Sequence, residues 1–235
     1  MPAVSNEPVP LKYSISDALT LPLANVSIVN GQVKIKENEG LLVKLGQEIA
    51  KELDLPLKIL PVRRKHVVSN LLNGKTDILC YLIPGWVATA ASSFNWSDTF
   101  MSAKDILISS KSNLNLSTFE DLQGLNIGLI KHYSYPVLQD MIDRKEIFPI
   151  YASTEINAFM QLFRNPDVDA IVFKDLNFDW LYSAHGGALT SHNVVKHSLV
   201  IEYIEPRCAV SRNRALDMKK INKAIARFKK KRHTY

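Results

Sequence analysis

Apolar residues recur along this chain in two alternating periods. Leu11 to Ile15, Leu57 to Leu60, Ile78 to Ile83, Asp105 to Ser109, Leu125 to Ile130 and Asp169 to Phe173 are short, mostly apolar runs that predict strands. Between them lie stretches of helical period. Leu41, Leu42, Leu45, Ile49 and Leu53 return every three or four residues and predict an amphipathic helix opening at Gly40. A second helix over Arg63 to Leu72 stops at Asn73-Gly74, a common helix-ending signal. Asn30-Gly31 marks a hairpin within Val26 to Ile35. Ser117 and Glu120 stand at capping-box spacing, a helix follows from Pro136, and Ser153 is placed to cap a helix over Glu155 to Arg164. Leu199 to Val210 leads into a last helix. Strands alternating with helices predict an α/β architecture.

The chain's 235 residues, 46% hydrophobic and 22% charged, suffice for one large domain or two small lobes. No apolar run reaches the eighteen residues that would predict a membrane span. The first residues, Met1 to Pro8, lack the basic and apolar regions of a signal peptide. That fits a mature or recombinant form and a cytoplasmic protein equally.

The net charge of +6 concentrates on the C-terminal helix, at Lys219, Lys220, Lys223, Arg227, Lys229, Lys230, Lys231 and Arg232. Ile221, Ala224, Ile225 and Phe228 form an apolar stripe at helical spacing there, so the charges read as the solvated face of a docked helix. Nucleic-acid binding would need aromatic or base-reading groups among them, and none is expected. Cys80 and Cys208 each lie in an apolar run, which predicts buried free thiols. His66, His132, His185, His192, His197 and His233 are scattered, so no metal site is expected.

Five ordered signals carry a resemblance. They are Gly40 to Leu53, then Gly74-Lys75-Thr76-Asp77, then Trp96-Ser97-Asp98-Thr99-Phe100, then Leu125 to Ile130, then Asp169 to Phe173. In this order the chain resembles the bacterial extracellular solute-binding proteins of family 3, and Arg232 to Tyr235 looks like that family's closing segment. The resemblance implies a type II periplasmic binding fold: two lobes, each a mostly parallel sheet flanked by helices, joined by two crossing segments. Lobe 1 would comprise residues 1–103 and 201–235, and lobe 2 residues 104–200, which puts Cys80 and Cys208 in one lobe and makes a disulfide the alternative to free thiols. It further implies no cofactor, a small polar solute as ligand, an ABC permease or other membrane receptor as partner, a monomer, and a periplasmic location with the export signal outside this sequence.

Ligands of open α/β sheets sit beyond the carboxyl ends of strands. The family pattern selects the same loops here, giving Asp17, Tyr81, Trp86, His132, Tyr133, Ser134, Lys174 and Asp175 as ligand-binding candidates. The family's carboxylate-gripping arginine would fall at Ala90, where it is missing, and its ammonium-binding aspartate falls at Lys174. A standard α-amino acid therefore fits poorly. Aromatic and hydrogen-bonding groups remain, suited to flat or cationic ligands. Trp86 reads equally as cleft wall or lobe core, and Arg63 and Arg64 read as braces for the loop after the third strand. Two rivals to a binding protein stand: a sensing or scaffold module of the same fold, and a dehydratase-type enzyme. Catalysis would rest on Asp17, His132 or Asp175, which no spacing ties together.

Overall fold

The computed structural model describes residues 8–111, 113–191 and 194–232. The closing segment at Tyr235, with His192 and His233, lies outside them. The described chain builds two five-stranded sheets. The first is ordered β4-β1-β5-β12-β6, from β1 (Leu11–Ser16), β4 (Leu57–Val62), β5 (Ile78–Leu82), β6 (Phe94–Trp96) and β12 (Arg207–Ser211). The second is ordered β11-β7-β10-β8-β9, from β7 (Ala103–Ser109), β8 (Asn126–Ile130), β9 (Phe148–Ala152), β10 (Ala170–Lys174) and β11 (Val195–Ile204). A hairpin of β2 (Val26–Val29) and β3 (Gln32–Ile35) stands apart. All five strands of the second sheet fall between β6 and β12, so the chain leaves the first sheet once and returns once. The sheets are mixed rather than mostly parallel. β1 pairs parallel with β4 and β5, and β8 with β9 and β10, whereas β12, β7 and β11 pair antiparallel. The antiparallel strands adjoin the two crossings, where no helix intervenes to turn the chain back.

Helix α1 (Leu41–Leu53) buries Leu42, Leu45 and Ile49 as its period predicts, while Leu41 and Leu53 stay half-buried. Its opening glycine is required. Gly40 has φ +101°, and a Cβ there would stand 2.6 Å from the Leu23 carbonyl oxygen. Helix α6 (Met218–Arg232) packs its Ile221, Ala224, Ile225 and Phe228 stripe into the same core. Lys223 and Arg227 reach Glu52 at 2.7 and 2.6 Å, and Lys231 reaches Glu48. Three of the basic residues are thus tied to α1, while Lys219, Lys220, Lys223, Lys229, Lys230 and Lys231 remain exposed, as a solvated face requires. Asp77, the acid of the Gly74-Lys75-Thr76-Asp77 signal, is buried. It accepts from the Lys12 backbone N–H at 2.9 Å and from Arg214 Nη1 at 2.9 Å, pinning the C-terminal segment to β1.

Several local expectations are corrected. Cys80 and Cys208 are not free thiols: they sit opposite each other on β5 and β12 and form a disulfide. At the predicted capping box it is Asp121, not Glu120, that accepts from Ser117 and Thr118, and it leads only into a 3₁₀ turn, Glu120–Leu122. Helix α4 (Glu155–Arg164) is capped by Thr154, whose hydroxyl accepts from the Asn157 N–H at 3.2 Å; Ser153 instead holds the Asn157 side chain. Arg63 to Leu72 is a 3₁₀ turn, Arg64–His66, followed by α2 (Val67–Leu72). Helix α3 (Pro136–Asp143) forms as predicted, and a helix the sequence reading lacked, α5 (Asp175–Ser191), opens at Asp175. Buried His197 is a core residue: its Nδ1 accepts from the Leu116 N–H and its Nε2 lies 2.9 Å from Ser109 Oγ.

Candidate functional site

The carboxyl ends of β1 and β5, the loop after β8 and Asp105 of β7 meet at one cavity between the sheets. Ser16, Leu19, Arg64, Val67, Leu79, Cys80, Tyr81, Leu82 and Trp86 line it from the first lobe, and Asp105, Tyr133 and Ser134 from the second. Its free volume is about 30 Å³, more than the ~10–15 Å³ that one buried water needs. The lobes are closed on each other: the Glu155 N–H donates to the Ala18 carbonyl at 3.3 Å, and Ala18 packs among the apolar residues of the second lobe.

Backbone geometry aims the aromatic walls. Tyr81, last but one in β5, has φ +69°, and His132, two residues past β8, has φ +67°. Left-handed backbone at a non-glycine costs on the order of 1–2 kcal/mol and clusters at functional sites. A register irregularity at Arg207/Cys208 accompanies the Tyr81 twist and turns the ring into the cavity. Its hydroxyl is buried without a hydrogen-bond partner.

Around the cavity, acids and bases are unevenly matched. Lys174 is 5% exposed, with its Nζ 3.4 Å from Glu155 Oε1 and 3.8 Å from Asp105 Oδ1. The ammonium also lies 4.9 Å from the Tyr133 ring centroid and 5.6 Å from that of Tyr81. Glu155 accepts further from Tyr133 OH at 3.3 Å and Asn177 Nδ2 at 2.5 Å. Burial pushes the Asp105 carboxyl up to about 6, against the pull of Lys174, and raises Glu155 for the same reason. Desolvation works to lower the Lys174 pKa, but the two carboxylates outweigh it and raise it. Arg64 extends over Tyr133 from the other lobe, 4.9 Å from the ring centroid. Among the described residues no carboxylate pairs with its guanidinium. Desolvation lowers its pKa, although a guanidinium stays charged throughout the working range.

The eight sequence candidates fall in different places. Tyr81, Trp86, Tyr133 and Ser134 line the cavity. Trp86 is both wall and core: it packs on two apolar clusters and its indole N–H donates to Glu202 at 3.2 Å. Lys174 is brought against Tyr81 and Tyr133 but is held by its own acids. Asp17 lies behind the wall, accepting from the Arg64 backbone N–H at 2.8 Å and from Arg63 Nη1 at 3.3 Å. Asp175 accepts from the backbone N–H groups of Lys104 and Leu176. His132 is solvent-exposed, outside the lining. Of the two arginines read as braces, Arg63 braces and Arg64 lines the cavity. Asp105 and Glu155 carried no signal in the sequence, since Glu155 reads as an ordinary acid of a helix first turn. Among the described residues no cluster of three metal-binding side chains occurs, and no helix is long and apolar enough to cross a membrane.

No family profile matches this sequence, and no curated protein matches it. Solved structures do. An ancestral arginine-binding protein bound to arginine superimposes with TM-score 0.72 at 20% identity, covering 94% of this chain and 93% of that one. A holo ArgBP from T. maritima gives 0.70 at 21% identity, over 94% and 90%. The amino acid ABC transporter substrate-binding protein AbpA from Streptococcus pneumoniae, bound to L-arginine, gives 0.64 at 20% identity, over 96% and 89%. The architecture is thus the two-lobe periplasmic binding protein fold.

Proposed function

We propose that this protein is a non-enzymatic solute-binding protein that closes its lobes, residues 1–103 with 201–235 and residues 104–200, on a small polar solute. The observation that carries this reading is the cavity itself: strand ends of both sheets supply its walls, and groups from the two lobes touch across it. Hinge closure of this kind turns occupancy into a shape that a membrane partner can recognise. The neighbours of like fold are named as arginine-binding proteins and as substrate-binding proteins of amino acid ABC transporters. An ABC permease is accordingly the partner proposed here, and the periplasm, where Cys80 and Cys208 would be oxidised, the compartment.

The small free volume favours one rival, a scaffold of the same fold that takes no solute. Thermal unfolding over a panel of amino acids, polyamines, nucleosides and organic acids separates the two. A solute in hundredfold excess over its Kd adds about 2.7 kcal/mol to stability. A Tyr133→Ala change should then weaken binding by about 1–3 kcal/mol without unfolding the chain. No response to any compound, with a protein co-purifying, would establish the scaffold, and turnover of a stabilising compound would establish an enzyme.

A further inference from the structure

We propose that the cleft is built for an organic carboxylate carrying no balancing cationic head, and that Arg64 is the residue that grips it. The inference rests on the solute-binding reading and names its ligand class. Every acid around the cavity faces a cation or a donor within the chain, although Asp105 Oδ1 has its ion pair at 3.8 Å and no hydrogen bond. Asp105 and Glu155 face the Lys174 ammonium, Glu202 takes the Trp86 indole N–H, and Asp175 takes two backbone N–H groups. Lys174 thus fills from within the place a ligand's ammonium would need. The donors are not matched in the same way. Arg64 reaches the lining with an aromatic face as its described partner, and among the described residues no hydrogen bond or ion pair engages its guanidinium, whose fork suits a two-pronged grip on a carboxylate. The buried Tyr81 hydroxyl, lining the same cavity, has no acceptor, and Ser134 adds a hydroxyl beside it. Leu19, Val67, Leu79 and Trp86 complete the wall, which suits an anion with an apolar body better than inorganic phosphate.

The test is calorimetric titration and thermal unfolding of the whole chain with pyruvate, 2-oxoisovalerate, benzoate and succinate, against L-arginine, L-glutamine and putrescine. At least one of the four carboxylates should bind and raise Tm, and the three cationic or zwitterionic probes should not. Arg64→Gln should cost that carboxylate at least about tenfold in affinity, the weight of a charged hydrogen bond. Arg64→Lys, which keeps the charge and loses the fork, should fall between, and circular dichroism should report both variants folded. Binding of L-arginine, L-glutamine or putrescine without any carboxylate would overturn this inference and leave the solute-binding reading standing. Carboxylate affinity unchanged in both Arg64 variants would overturn the assignment of Arg64. Silence from the entire panel would count against both.

Discussion

Each lobe sends one cation to the cleft, and the two keep different company. Lys174, from the second lobe, is locked between Glu155 and Asp105 and almost wholly removed from water. Arg64, from the first, faces Tyr133, and among the described residues no carboxylate pairs with its guanidinium. Charges of one sign in one place thus do different work. The lysine neutralises acids that the fold has buried, while the arginine keeps its hydrogen-bonding capacity for something outside the chain. A buried ion pair is poor evidence of net stabilisation, but removing one member is costly. An unpaired cation at a cleft wall contributes little to folding and much to recognition.

Substitutions should separate the two roles. Lys174→Met leaves two carboxyls buried without their cation, and its unfolding free energy in urea should fall by about 3–5 kcal/mol. A loss below about 1 kcal/mol would show that the triad is not the closed unit described. Asp105→Asn tests the same unit through pH. The folded carboxyl titrates at about 6, above its ordinary 3.8, so the folded state holds the extra proton between those values. The contribution of Asp105 to stability is therefore greatest at low pH and declines as pH rises through 4 to 6. Relative to the parent, Asp105→Asn should gain on the order of 2–3 kcal/mol on going from pH 4 to pH 7, at 1.36 kcal/mol per pH unit. A constant difference would place Asp105 in water. The stability held by the Lys174 ammonium persists at neutral pH and is lost only above the ordinary lysine range, because its pKa is raised.

The strained loop beside the cavity is a smaller lever. His132 sits at φ +67°, so His132→Gly should relieve its backbone and raise stability by about 0.5–1 kcal/mol, net of the unfolded-state entropy a glycine adds. A loss would mean that the imidazole makes a contact of its own. Least affected should be the fold of Arg64→Gln, changed by less than about 1 kcal/mol, the worth of one cation–π contact. A larger loss would make Arg64 a structural brace after all.

The α/β class, the α1 and α6 faces and most strands were legible, because apolar period survives in any context: the α6 stripe buries as its spacing requires. Edge strand β9 was not, since Phe148 and Tyr151 are exposed and Pro149 interrupts the run. Helix α5 begins with Leu176, Phe178, Trp180, Leu181 and Tyr182, too apolar all round to show a stripe. At the site, the loops beyond strand ends were readable from topology, which brought Tyr81, Trp86, Tyr133 and Ser134 to the wall. The direction of Arg64 depends on a 3₁₀ turn held by Asp17, 47 positions away, and no local pattern encodes that. The Cys80–Cys208 pairing likewise depends on β12 lying beside β5 across 128 residues.

That disulfide closes a covalent ring whose clasp is in the first sheet and whose circumference carries the whole second sheet. The strand that re-enters the first lobe, β12, is tied covalently to β5, and the departing strand β6 lies hydrogen-bonded along its other side. Even when the second lobe melts, β12 stays fastened to β5, and with it the place where the chain returns. The second lobe hangs from a cord fastened by chemistry at one end and by packing at the other.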